Sequence, residues 1–264
     1  MDTDERGAFA YAVIVTTYRR PGFLAQTLHG IAAQTLKPSC VIVADDGSDE
    51  PHRSKNQALT EQYGFIYLPL QHSGLPGMAR DRALALVVEP WVALSDDDDV
   101  WDADHIERLA QHIKADIAIV AGNARRSDTN QPYRAALPPT IDVAREFPSN
   151  PVINSAAIVR HESLIAIGGF AAFPRGAEDY TTWLRLGDIG RTAIVNEPTI
   201  TYRITEGSIS AEMSGARRPL PLLCACDYLV WSAGKRLRLN RMGTRFWTTV
   251  AGLFVRRAHA RRDR

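Results

Sequence analysis

The run Trp91-Val92-Ala93-Leu94-Ser95-Asp96-Asp97-Asp98-Asp99-Val100-Trp101 sets four consecutive carboxylates between apolar segments. Acids this close repel one another, and apolar flanks hold them out of bulk water, so the cluster calls for a cation. Oxygen-only ligation suits Mg²⁺ or Mn²⁺, held partly by side chains and partly by a ligand's phosphates. Two further acidic groups sit at comparable places. Asp45-Asp46 follows the short apolar run Val41–Ala44, and Glu178-Asp179 precedes Tyr180, Trp183 and Leu184 at helical spacing. Adjacent carboxylates can serve as a proton acceptor, because like charge or partial burial raises one pKa into a useful range.

The elements that position these groups read as alternating strands and helices. Tyr11–Thr17 is a strand, followed after Pro21 by a helix carrying Leu24, Leu28 and Ile31. Val41–Ala44 is a second strand, leading to a polar helix that ends near Tyr63, and Phe65–Leu70 is a third. Ser73–Gly77 is a loop, Met78–Val88 a helix, and the acidic turn joins a fourth strand to a helix bearing Ile106, Leu109, Ala110 and Ile113. Beyond it, Ile117–Ala121 and Val152–Val159 read as strands, Asn123–Pro151 as a polar loop over the site, and Gly168-Gly169-Phe170 as the break after a short helix. The pattern predicts an α/β fold with a mostly parallel mixed sheet flanked by helices, whose ligands gather beyond the carboxyl ends of the strands.

Composition is that of a soluble globular protein, with 45% hydrophobic and 23% charged residues in 264. Cys40, Cys224 and Cys226 give neither a disulfide framework nor a zinc spacing. His29, His52, His72, His105 and His112 form no metal pattern either and read as surface or structural. No stretch resembles a signal peptide or reaches the length of a membrane span, which predicts a cytoplasmic protein. The formal charge of +1 hides an asymmetry: from Lys235 onward ten basic residues face one acid, an excess of +9, and the rest carries −8. The boundary drawn from this is a domain over 1–214 and a basic helical extension over 215–264. Within the extension, Phe246, Trp247, Val250, Leu253, Phe254 and Val255 form an apolar band bracketed by arginines. It fits peripheral contact with an anionic inner membrane face, and equally a terminal helix docked on the domain. A nucleic-acid partner lacks a motif.

Taken in order, the segments Val15–Arg20, Val43–Ser48, Gly77–Asp81, Leu94–Trp101, Gly168-Gly169-Phe170, Glu178-Asp179-Tyr180 and Trp183–Leu186 resemble the family 2 glycosyltransferases with the Rossmann-like GT-A fold. The resemblance covers roughly residues 11 to 210. It implies transfer of a sugar from a nucleotide-diphosphate donor, UDP by family weight, to an acceptor hydroxyl, with inversion and a divalent metal. Asp98 would be the metal ligand and Asp96 the first acid of the D-x-D pattern, while Asp97 and Asp99 leave a register shifted by one open. Asp46 would contact the nucleobase; Thr16, Tyr18 and Arg19 would form the first nucleotide segment. Arg80 would face the diphosphate, or pair with Asp81 at the surface. Asp179 would be the general base, supported by Glu178, Gly169 and Arg203, with Trp183 and Leu184 in the core. The acceptor it implies is a glycan, a lipid-linked acceptor or a small molecule, with cell-envelope and lipid-linked glycans the kind that many relatives use.

The chain departs from the family where Tyr202-Arg203-Ile204-Thr205 replaces Tyr-Arg-x-His, removing an imidazole that often helps hold metal or diphosphate. Two other readings compete: a sugar-1-phosphate nucleotidylyltransferase, which lacks its glycine-rich phosphate loop here, and a non-catalytic binding protein on the same fold.

Overall fold

The computed structural model describes residues 9–146, 148–171, 176–204 and 220–236. At its centre lies β1 (Tyr11–Thr17), buried along its whole length because parallel strands covered on both faces must be apolar on both. Its side chains alternate. Ala12 and Ile14 join one core layer and Tyr11, Val13 and Val15 the other. β2 (Cys40–Asp45) and β4 (Trp91–Asp96) flank β1 in parallel, and β3 (Ile66–Pro69) closes that edge with half-exposed residues.

Helices cover both faces. α1 (Pro21–Ala32) starts on a proline, whose missing N–H is no loss in a first turn, and buries Leu24, Leu28 and Ile31. α2 (His52–Gln62) is largely polar and buries only Asn56 and Thr60. α3 (Pro76–Leu84) packs against β1 and β2. After β4 come the short β5 (Val100–Trp101) and α4 (His105–Ala110).

The second half is mixed. β6 (Ile117–Arg126), β7 (Thr140–Ile141), β8 (Ala157–Arg160) and β9 (Arg191–Tyr202) extend the sheet to the order β3-β2-β1-β4-β8-β6-β9-β5, with β7 beside β9. The long ladders are parallel, and the antiparallel pairings span only two or three residues each. α5 (His161–Ile167) and α6 (Glu178–Gly187) lie between β8 and β9, and α7 (Leu220–Arg236) packs on α6. The α/β class and the mostly parallel mixed sheet are as expected.

Helix and strand ends shift by a few residues, the helix read as Met78–Val88 being Pro76–Leu84, and two segments of the second half differ in kind. Asn123–Arg126 is not loop but the continuation of β6, paired through bulges to Pro198–Tyr202. Its polarity is satisfied inside the sheet, since the Asn123 amide donates to the carbonyls of Arg134 (2.9 Å) and Asn196 (3.0 Å). Conversely Asn154–Ala156 is a 3₁₀ turn rather than strand. There the Ser155 hydroxyl accepts from the Asp96 N–H (3.0 Å), which turns this segment toward the acidic cluster.

The proposed boundary near Gly215 lies outside the described residues, as does the apolar band of the tail. α7 itself is docked: Cys224 and Trp231 belong to the core, the Trp231 indole donates to Ile167 O (3.2 Å), and Arg185 pairs with Asp227.

Candidate active site

Register brings the acidic groups to one edge. Thr17 lies opposite Asp45 and Thr16 opposite Asp96, so the ends of β2, β1 and β4 stand side by side above the sheet. A cleft of about 440 Å³ opens there, where ligands of open α/β sheets bind.

The four acids of the turn have four different fates. Asp96 faces the cleft and accepts from Arg80 Nη2 (2.7 Å), Asn154 Nδ2 (3.1 Å) and Thr16 Oγ1 (3.2 Å). Burial would push its carboxyl up, but the Arg80 guanidinium and these donors hold it below the usual carboxylate range. Asp97 is wholly buried and does not border the cleft: it accepts from Thr17 Oγ1 (2.6 Å) and pairs with Arg20, and burial raises its pKa to about 7. The nucleotide-binding role expected of Asp97 gives way to a structural one. Asp98 borders the cleft beside Arg20 Nη1 (2.7 Å), with its pKa raised by burial against the pull of that arginine. Asp99 accepts from the Arg203 N–H (3.0 Å) and is pushed well up by burial and by its acidic neighbours. The Thr27 hydroxyl sits 2.9 Å from Asp97 O and 2.8 Å from Asp99 O, tying the turn to α1.

Asp96, Asp98 and Asp99 border the cleft, so of the two D-x-D registers only the one through Asp96 and Asp98 has both acids on its wall. Two arginines against four carboxylates leave an excess of negative charge, which the raised Asp98 and Asp99 express. The donors are oxygens, a set that fits Mg²⁺ or Mn²⁺. Among the described residues no three His, Cys, Asp or Glu side chains converge as a metal cage, so phosphate oxygens and water would complete the coordination of a cation held by Asp98.

Arg80 links the two acidic groups. It is buried at 4% exposure, with Nη1 3.5 Å from Glu178 Oε1 and Nη2 on Asp96. The surface pairing with Asp81 is not formed; Asp81 instead accepts from the Phe170 N–H (3.2 Å). Gly77, one turn earlier, permits this approach, because a Cβ there would lie 1.9 Å from Ala171 O and 3.0 Å from Glu178 Cγ.

At the start of α6, Glu178 accepts from Gly176 N–H (2.7 Å) and Asp179 borders the cleft. Asp179 accepts from its neighbour Tyr180 N–H (2.7 Å) and, at 3.3 Å, from Asn150 Nδ2. Burial and the Glu178 charge raise its pKa to about 7, with Arg80 pulling the other way. A carboxyl poised there can accept a proton near neutral pH. Gly169 does not border the cleft. Gly168, at φ 95°, caps α5, and Gly169 follows it at φ 87° with its N–H donating to Leu164 O (2.8 Å).

At the other end, Thr16, Tyr18, Asp46 and His72 line the cleft, and the Tyr18 and His72 rings stack with centroids 4.3 Å apart. Arg19 does not join them. Its left-handed backbone (φ 58°) directs the side chain outward onto Asp49 (2.8 Å), while Arg20 turns in. Arg203 borders the cleft with its guanidinium on Gln26 Oε1 (2.7 Å) and over the Phe23 ring (4.6 Å); Thr205 lies outside the described residues. Sequence reasoning missed Arg20, Asn154 and His72. Arg20 stood beside Arg19 in the motif, but nothing local distinguishes the arginine that turns inward.

The profile of Glycosyl transferase family 2 matches residues 12–180, from β1 through the acid pair. Succinoglycan biosynthesis protein ExoW of Rhizobium meliloti is 37% identical over 98 residues, which span 36% of this chain and 31% of that protein. The Escherichia coli UDP-Glc:alpha-D-GlcNAc-diphosphoundecaprenol beta-1,3-glucosyltransferase WfgD is 23% identical over 77% of this chain and 80% of its own. Among solved structures, S. aureus TarS 1–349 in complex with UDP-GlcNAc superposes with a TM-score of 0.62 at 17% identity, covering 88% of this chain and 76% of that one. The mannosyltransferase PcManGT from Pyrobaculum calidifontis, in complex with GDP-Man and Mn²⁺, gives 0.61 at 16% identity, covering 87% and 64%. These two likenesses establish the shared GT-A-like fold. The profile, the ordered motifs and the cleft agree, and the chain belongs to glycosyl transferase family 2.

Proposed function

We propose that this protein is a metal-dependent inverting hexosyltransferase that moves a sugar from a UDP-sugar to an acceptor hydroxyl of a lipid-linked or cell-envelope glycan. The observation that carries the reading is the division of labour across one cleft: Asp96 and Asp98 face it from the sheet edge, and Asp179, raised to about 7, faces it from α6. UDP rests on two similar proteins, TarS with its UDP-GlcNAc and WfgD, named for UDP-Glc. The lipid-linked acceptor rests on WfgD, whose name specifies a diphosphoundecaprenol substrate.

Asp179 accepts the acceptor's hydroxyl proton as that oxygen bonds to the anomeric carbon. The bond from the anomeric carbon to the diphosphate breaks on the opposite face, and the electron pair leaves with the nucleotide. Asp98, with Asp96 beside it, would hold Mg²⁺ or Mn²⁺, which supplies positive charge to the leaving diphosphate. Arg80 keeps Asp96 ionised and Glu178 in place. Thr16 and Tyr18 border the nucleotide, and Arg203 braces Asp99 behind the acid pair. Among the described residues no helix is long and apolar enough to cross a membrane. Contact with the inner membrane face would fall to the basic tail.

Calorimetry with UDP, in Mn²⁺ and again in chelator, followed by turnover of UDP-hexoses on a GlcNAc-diphospholipid, tests the proposal. Metal-dependent UDP binding and a product of inverted anomeric configuration are expected. Retained configuration, or transfer unaffected by chelator, would overturn it.

A further inference from the structure

The helix that carries Asp179 begins without a cap of its own. Its N-cap residue is Ala177, which has no side chain to reach the free N–H groups of the first turn. The turn is held from outside instead. Arg80 of α3 reaches Glu178, and Asn150 Nδ2 reaches Asp179. Asn150 Oδ1 accepts the Val152 N–H (3.2 Å), which settles which end of that amide faces the carboxylate.

The third hold comes from α7. Cys224 is fully buried, with Sγ 3.5 Å from Ala177 O, the oxygen that also accepts from the Thr181 N–H (3.2 Å) and hydroxyl (3.3 Å). Burial pushes the thiol up to about 12, and the charges of Asp179, Asp227 and Glu178 add to the rise, so Cys224 keeps its proton and donates. Further along, Arg185 of α6 pairs with Asp227, both buried, and its guanidinium lies 5.8 Å from the Trp231 ring. The Tyr228 hydroxyl donates to Asp188 just past the end of α6, and the Trp231 indole holds the end of α5. Thus α7 grips α6 at both ends. The family profile stops at residue 180, and α7 lies wholly beyond it.

We infer that α7 completes the active site as a positioning element: Cys224 and Asp227, acting through Ala177 and Arg185, hold the first turn of α6 so that Asp179 is aimed into the cleft. The inference rests on the reading of Asp179 as the base and goes beyond it by assigning that residue's alignment to a helix outside the family profile. The catalytic unit then includes α7, which the sequence reading assigned to the basic extension. No described residue of α7 borders the cleft, so a loosened α7 acts on turnover through Asp179 and leaves the donor side as it was. Proton transfer is the step most sensitive to such a shift, because it needs the base within hydrogen-bond reach of the attacking hydroxyl.

The test sets kcat, for transfer from a UDP-hexose to the GlcNAc-diphospholipid, against UDP affinity in Mn²⁺ and against the urea midpoint, all in the full chain. Cys224→Ala removes the donor and leaves a void behind Ala177, so kcat should fall about fivefold while UDP affinity stays within about twofold. Cys224→Ser returns a hydroxyl donor to the same place and should restore kcat to within about twofold of wild type. Asp227→Asn leaves the buried Arg185 without its counter-charge, and kcat should fall about tenfold, again at unchanged UDP affinity. Leu229→Ser, on the exposed face of α7 at 63% exposure, is the control and should behave as wild type.

A lowered urea midpoint with wild-type kcat in both Cys224→Ala and Asp227→Asn would overturn the inference and reduce α7 to a support of the fold. Parallel loss of kcat and UDP affinity would overturn it too, since the effect would then not be confined to the turn of Asp179. Should Asp227→Asn fail to fold, the Cys224→Ala and Cys224→Ser pair decides: equal kcat in the two would refute the role of the thiol. The reading beneath is tested separately, because Asp179→Asn with unchanged turnover would remove the base itself, whereas an inactive Asp179→Asn beside unaffected α7 variants would overturn this inference alone.

Discussion

Asp96, first of the acid cluster after β4, and Asp179, in the acid pair opening α6, both border the cleft near Arg80 and handle charge in opposite ways. Asp96 collects three donors from three distant segments, and its carboxyl is held below the usual range despite burial. Asp179 receives its own neighbour's N–H and a long contact from Asn150; burial and Glu178 prevail, and its pKa rises to about 7. A buried carboxylate becomes a fixed anion where a guanidinium and other donors converge on it, and a proton acceptor where burial and a like charge outweigh them. Thus the same residue type, across one cleft, serves charge at the donor side and proton transfer at the acceptor side.

The sharpest break in this comparison is Asp179→Asn. It keeps size and removes the acceptor, so turnover should fall about a thousandfold while UDP affinity stays within about twofold. Unchanged turnover would eliminate Asp179 as the base. Next comes Arg80→Met, which strips the shared cation from Asp96 and Glu178. Leaving buried acids uncompensated should destabilise the fold by about 3 kcal/mol, read as a lower urea midpoint at constant slope. A midpoint equal to wild type would show that solvent, not Arg80, neutralises them.

Asp98→Asn should lower UDP affinity in Mn²⁺ by about tenfold or more, toward the value in chelator, if it is the ligand that the cation requires. Full retention of the metal effect would move that role to Asp96 or Asp99. The pH profile gives a smaller step per unit. With Asp179 deprotonated in the active form, kcat/KM should rise about tenfold per pH unit below about 7 and level off above it. Loss of that limb in Asp179→Asn would assign it; its persistence would place the titration elsewhere. Smallest of all is Arg19→Ala: the side chain pairs with exposed Asp49 outside the cleft, so UDP affinity should change by less than about twofold. A large loss would restore the nucleotide-binding role that the motif suggested.

Much of the first half of the fold was legible. Tyr11–Thr17 was read to its exact ends as β1, in agreement with the observed strand, and the Leu24, Leu28 and Ile31 face of α1 is buried. The second half was less so, because Asn123 and Arg125 are polar residues whose partners lie within a mixed sheet, and a polarity pattern alone assigns them to a loop. Within the site, the resemblance supplied Asp96, Asp98, Asp179 and Arg80, all of which border the cleft. It could not separate Asp97 from its neighbours, nor Arg19 from Arg20, because adjacent residues of one type differ only in which way the backbone turns them.

The sequence by itself determined the alternation of strands and helices and the location of each acidic group at an element end. Strand burial and helical periodicity are set by residues a few positions apart, so they can be read locally. Tertiary structure alone decided which carboxylate is held below the usual range and which are pushed above it. Arg80 reaches Asp96 across 16 residues and Glu178 across 98, and Asn154 reaches Asp96 across 58. The choice among such distant partners is made by strand order and packing, which bring their donors within hydrogen-bond reach and exclude the water that would otherwise make every aspartate alike.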